Sequence, residues 1–166
     1  MAGLIDQLLE TLNEQYQRYE ELLGLSREKV EVIINNDVEE LQKINYLENL
    51  VISQNQKLEK KREEITNDIA TVLNQKVEDL TLTRLIELME GQNEQPALIL
   101  TRDRIRNILE ELSEINNQNG QLIQNSLEYI EYSTNVMRSS VSQQPSYYSS
   151  TGEVYLDEPG FIDTKN

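Results

Sequence analysis

Cysteine, histidine and tryptophan are absent from the chain. Disulfide scaffolds, thiol nucleophiles, imidazole acid-base chemistry and zinc sites that need Cys or His are therefore excluded, because their reacting or ligating atoms are missing. Proline and glycine are scarce, three and six in 166 residues, and the aromatics are eight Tyr and one Phe. With 37% apolar residues, this composition argues against a β-sandwich or an α/β core and predicts an all-α protein. Positive charge is the minority sign: 15 Lys and Arg stand against 30 Asp and Glu, a formal net charge of −15. Such a surface repels phosphate backbones and anionic lipid, so the expected partners are proteins rather than nucleic acid or membrane. No stretch approaches the ~18 uninterrupted apolar residues of a membrane span, so no stable membrane insertion is expected. The first ten residues carry Asp6 and Glu10 but no base, unlike the start of a secretory signal. The expected location is the cytoplasm.

What the chain does have is helical periodicity. Ile5, Leu9, Leu12, Tyr16, Tyr19, Leu23, Ser26, Val30 and Ile33 alternate steps of four and three, which keeps one stripe of a helix against a partner. Asn35-Asn36-Asp37 ends this element, and Asp37 with Glu40 has the spacing of a reciprocal capping box for the next. A break so short turns the chain back antiparallel. The second seam runs Leu41, Ile44, Glu48, Val51, Asn55, Leu58, Arg62, Ile65, Ile69 and Val72, and fades between Asn74 and Lys76. A short helix follows around Leu85, capped by Thr81 or Thr83 and ended by Gly91, and Pro96 opens a last, long one. Its seam is Leu98, Thr101, Ile105, Ile108, Leu112, Ile115, Asn119, Leu122, Ser126, Tyr129, Ser133 and Val136.

The expected architecture is an elongated antiparallel helical bundle with coiled-coil-like seams. It spans residues 1–140, with three long helices and one short at about 2–34, 38–76, 82–90 and 96–140. Residues 141–166 contain two of the three prolines and no helical period, and read as a flexible, disordered C-terminal tail. Tyr147, Tyr148, Tyr155 and Phe161 place four of the nine aromatics there, which makes them candidates for docking the tail on the bundle or on a partner.

Catalytic chemistry finds no foothold. Adjacent acids such as Glu20-Glu21 or Glu110-Glu111 point about 100 degrees apart on a helix and read as solvated faces. A four-helix di-iron site wants Glu-x-x-His motifs, which a chain without His cannot supply. No glycine-rich phosphate loop or nucleophile elbow occurs, so neither an enzyme nor a cofactor is expected. Arg102, Arg104 and Arg106 are expected to pair with the acidic helices.

The polar interruptions of the seams are more informative. Glu48, Asn55 and Arg62 recur every seven residues, as do Asn119, Ser126 and Ser133. They either set register or mark a stripe left partly open. In the second case Leu41, Ile44, Val51, Leu122, Ile123, Leu127, Ile130 and Met137 would line a shallow apolar groove for a partner's amphipathic helix.

At the front, Tyr19, Leu22-Leu23, Leu25, Lys29, Ile33, Asp37, Leu41, Ile44 and Glu48 resemble the FlgN-type flagellar export chaperones. So do Asn119-Gly-Gln-Leu-Ile-Gln-Asn-Ser126-Leu-Glu-Tyr129 and the Tyr147-Tyr-Ser-Ser-Thr-Gly152 tail. The resemblance implies a cytoplasmic chaperone without catalysis that holds flagellar hook-filament junction proteins by a helical C-terminal segment before type III export. Components of the export apparatus are further partners in keeping with it, and the chain would act as monomer or homodimer. The positions it marks as client-binding are Asn119, Leu122, Ile123, Ser126, Leu127 and Tyr129, and the open stripe adds Ile130 and Met137. The competing reading is a structural coiled-coil adaptor or spacer, using the same seams for permanent association with no client groove.

Overall fold

The computed structural model describes the backbone of residues 1–142 and the side chains of residues 1–139. The described residues are all-α: α1 (Ala2–Ile34), α2 (Val38–Val72), a 3-10 turn (Val77–Asp79), α3 (Leu82–Leu88) and α4 (Gln95–Ser142). They fall into two units, residues 1–126 and a second beginning at Leu127, whereas sequence pattern alone offers no boundary before residue 140.

Helix ends follow from local chemistry. Asn36 takes a left-handed φ of 54°, a conformation that Asn tolerates better than most side chains. There the Asp37 N–H donates to the Val32 carbonyl and the Asn36 N–H to that of Ile33, closing α1 in a Schellman motif. Asp37 then caps α2, its carboxylate accepting from the Glu40 N–H at 3.1 Å. The return half of the expected capping box is not made. The Asp37 N–H is already taken by Val32, and the Glu40 carboxylate pairs with Lys43 at 3.2 Å. Replacing Asp37 by Ala is expected to cost about 1 kcal/mol of unfolding free energy, readable as a lower urea midpoint at unchanged slope. α2 closes with the same motif around Asn74, φ 53°, with Gln75 donating to Ala70 and Asn74 to Thr71. It therefore stops at Val72, short of the expected Lys76. Thr81 caps α3, accepting from the Arg84 N–H. Gln95 opens α4 and donates its side-chain amide to the Ile86 carbonyl, tying the start of α4 to α3.

Within residues 1–126, α1 and α2 are antiparallel: Gln15 reaches Glu59, Arg18 reaches Gln54 and Lys29 reaches Glu48. α4 runs parallel to α1, with Leu98 packed in the cluster of Ile5 and Leu12, Ile108 and Leu112 with Leu23, and Asn119 bonded to Ser26. The first core cluster joins Ile5, Leu8 and Leu12 of α1, Ile65, Ile69 and Ala70 of α2, Leu80, the α3 region (Leu85, Ile86, Met89) and Leu98. The second is smaller, Leu23, Ile108 and Leu112, flanked by Tyr16, Tyr19, Leu22 and Ile115.

The buried face of α1 is wider than a heptad seam. Leu8, Thr11 and Gln15 are buried and Leu9 only partly so, because α1 serves two neighbours and must bury a broader arc than one partner requires. Thr11 satisfies its hydroxyl on the Gln7 carbonyl and Gln15 donates to Glu59, at 2.8 and 2.9 Å. Val72, in phase with the α2 seam, is exposed at the end of the helix.

Candidate helix-binding surfaces

A polar layer crosses the first unit near the end of α1. The Ser26 hydroxyl lies within hydrogen-bond distance of Glu48 (3.4 Å) and Asn116 (3.3 Å). Lys29 pairs with Glu48, and Asn119 donates to the Ser26 carbonyl at 2.8 Å. The seam interruption at Glu48 is thus half of an interhelical ion pair. Arg62 pairs within its own helix with Glu59, while the side-chain oxygen of Asn55 is buried without a hydrogen-bond partner. Lys29→Met and Glu48→Leu are each expected to cost about 1–3 kcal/mol, since each leaves a mostly buried charge unpaired. The double variant should cost less than the sum of the two. Urea unfolding of all four chains checks the cycle; strict additivity would show that the pair carries no coupling.

The arginines depart from the sequence expectation. Arg102 pairs with its neighbour Asp103 at 2.9 Å, and Arg104 lies over the Tyr16 ring, 4.2 Å from its centroid. Neither pairs with a carboxylate of α1 or α2: the two point to different sides of α4, Arg102 toward Gln15 and Tyr19 and Arg104 toward Tyr16. Among the described residues, Arg27 and Glu111 form an ion pair that joins α1 to α4, at 3.0 Å.

The candidate client-binding residues divide between the two units. In the first, Asn119 is buried, with its amide committed to Ser26 and its side-chain oxygen without a partner. Leu122 and Ser126 are half-buried, and Ile123 is exposed. In the second, Leu127, Tyr129, Ile130 and Met137 are exposed by 56%, 68%, 54% and 61%, and Tyr132 and Val136 are exposed with them. The expected groove wall changes: Ile44 and Val51 are buried side chains of α2, so neither faces an opening. Tyr147, Tyr148, Tyr155 and Phe161 lie outside the described residues.

A second surface went unread in the sequence. With α1 as their floor, three hollows of about 540, 690 and 460 Å3 adjoin one another, the first between α2 and the segment from Val77 to Leu85, the other two between α2 and α4. The first two share Leu12, Arg62 and Leu82, and the second and third share Tyr19, Leu109 and Ser113, so they form one trough. A heptad pattern reports which stripe of a helix is apolar but not how far apart two helices sitting on a third will lie. The available signals were Leu109 of α4 and Ile52 of α2, apolar residues out of phase with their seams.

These features define an all-α protein of long helices that exposes apolar side chains in rows along them, the surface by which one helix recognises another. The particular family comes from comparison: the family model described as "FlgN protein" matches residues 1–155. The chain belongs to the FlgN family, whose members are flagellar export chaperones and not enzymes. No curated protein and no solved structure matches it. Among the described residues no helix is long and apolar enough to cross a membrane.

Proposed function

We propose that this protein holds the helical C-terminal segment of a flagellar hook-filament junction protein in the cytoplasm before type III export. The observation that carries the reading is the run of exposed apolar side chains Leu127, Tyr129, Ile130 and Met137 in a chain of the FlgN family. An amphipathic helix laid along them covers apolar surface on both molecules, which is the driving force for association and keeps the client from pairing with itself. Leu122 and Ile123, and Ser126 beside them, supply contacts of the same kind in the first unit. Asn119 supports this stretch by anchoring α4 to α1. The net charge of −15 keeps a loaded complex soluble and repels the wrong partners. The chaperone acts as monomer or homodimer and hands its client to components of the export apparatus.

The test is capture of the C-terminal fragment of a junction protein by the full chain, followed by calorimetry and native mass spectrometry. Saturable binding with a fixed stoichiometry supports the proposal. A chain that is permanently oligomeric and captures no fragment would instead be the coiled-coil spacer.

A further inference from the structure

We propose that the segment following α4 lies back along that helix, with Tyr147 and Tyr148 covering Tyr132 and Val136. Neither Tyr132 nor Val136 is needed by a client on the row above, so the inference goes beyond the function already proposed.

The helix comes first. From Leu127 onward α4 is apolar on two faces. At about 100° per residue, Leu127, Ile130 and Met137 group on one face, and Tyr132 and Val136 on another turned from it by about 140°, with Tyr129 on the border between them. All six side chains are exposed. A single partner helix covers one stripe about 100° wide. A client seated on the first face therefore leaves Tyr132 and Val136 open to water.

Reach, tethering and charge select the occupant. Tyr147 and Tyr148 stand five and six residues beyond Ser142, the last residue of α4, a chain length of up to about 17–20 Å when extended. Val136 and Tyr132 lie six and ten residues back from Ser142, about 9 and 15 Å along the helix axis. Pro145 cannot carry a helix on and favours a reversal. A tether this short presents the two rings to the face at an effective concentration of about a millimolar, far above the micromolar supply of a second copy or a free partner. Contacts too weak to hold a separate molecule suffice to hold this one. A second copy also brings its own net charge of −15, whereas residues 143–152 carry no charge. The chemistry matches as well: six of the nine aromatics lie from Tyr129 onward, and tyrosine rings pack edge to face while their hydroxyls stay in water. With this face covered, the end of α4 presents one open stripe, that of Leu127, Ile130 and Met137.

The experiment uses the full chain with labelled Val, Met and Tyr, and records nuclear Overhauser contacts between tyrosine rings and methyl groups. The rings of Tyr147 and Tyr148 should contact the Val136 methyls and not the Met137 methyl, one residue along on the other face. Tyr147→Ser/Tyr148→Ser should speed amide exchange between Tyr132 and Ser139 about fivefold, with melting equal to that of the parent because both core clusters end by Ile115. Contacts found only between differently labelled chains in a mixed sample would assign the face to a second copy and overturn the proposal. Contacts to Met137 in place of Val136, no contact at all, or unchanged exchange would overturn it too. Parent and variant should capture a junction-protein fragment with affinities within about twofold of each other. Tighter capture by the variant would mean that the segment competes for the client's face, and would sink the proposal. Failure of capture by both chains, with the Val136 contacts present, would sink only the function proposed above.

Discussion

Replacing Leu98 by Ala is expected to lower the free energy of unfolding by about 2–5 kcal/mol, the range for truncating a fully enclosed aliphatic side chain. Leu98 is 0% exposed and is the α4 member of the cluster joining Ile5, Leu12, Ile65, Ile69 and Leu85. Its removal takes away apolar burial and leaves a cavity that rigid helices on three sides cannot collapse to fill. At about 2–4 °C per kcal/mol for a chain of this size, the melting temperature should fall by roughly 4–20 °C. Ile130→Ala is the control, since that side chain is exposed in the free protein, and its melting should stay within about 0.5 kcal/mol of the parent. A Leu98→Ala chain that melts like the parent would mean that α4 is not held to α1 and α2 through this residue.

The second large effect falls on binding rather than folding. The double variant Leu127→Asp/Ile130→Asp should lose client capture by roughly a hundredfold or more while melting as the parent does. Burying one such side chain is worth about 1.5–3 kcal/mol, and every 1.4 kcal/mol is a factor of ten in affinity. Two of them account for the loss before the cost of pressing two carboxylates against an apolar stripe is added. Stability is spared because both side chains already face solvent in the free chain. Capture undiminished in a folded variant would move the client surface elsewhere on the molecule. A drop in melting temperature parallel to the loss of capture would assign the two residues to packing.

How far these features could be read without coordinates differs from element to element. The helices were legible because most of their ends carry residue-level chemistry: Asn36 accepts left-handed backbone, Asp37 and Thr81 accept from free amides, Gly91 takes a φ of 76°, and Pro96 needs no N–H, whereas α2 closes at Asn74, φ 53°, two residues before the expected Lys76. The α4 seam was legible as far as Asn119, since Leu98, Thr101, Ile108, Leu112 and Asn119 are the residues it buries. Thr11 and Gln15 were not. Polar residues are assigned to the surface by default, and only an acceptor brought across from Glu59 or from the preceding turn makes their burial affordable. The thinning of the seam left two readings open, register or an uncovered stripe; Leu127, Tyr129, Ile130 and Met137 are exposed, but Ile44 and Val51 went into the packed face of α2 instead of lining an opening.

Composition and periodicity are properties of single helices, so they decide what a helix can be: that this chain is all-α, that it breaks around Asn36, and that it offers apolar stripes instead of reactive groups. Distances between helices are a property of pairs. Whether Arg104 meets a carboxylate or the Tyr16 ring, whether Glu48 is paired, and whether α2 and α4 close over α1 or stand apart with Arg106 between them follow from which side chains interlock first in the two core clusters. Packing fills space with whole side chains and not with patterns, and so the trough belongs to the tertiary structure.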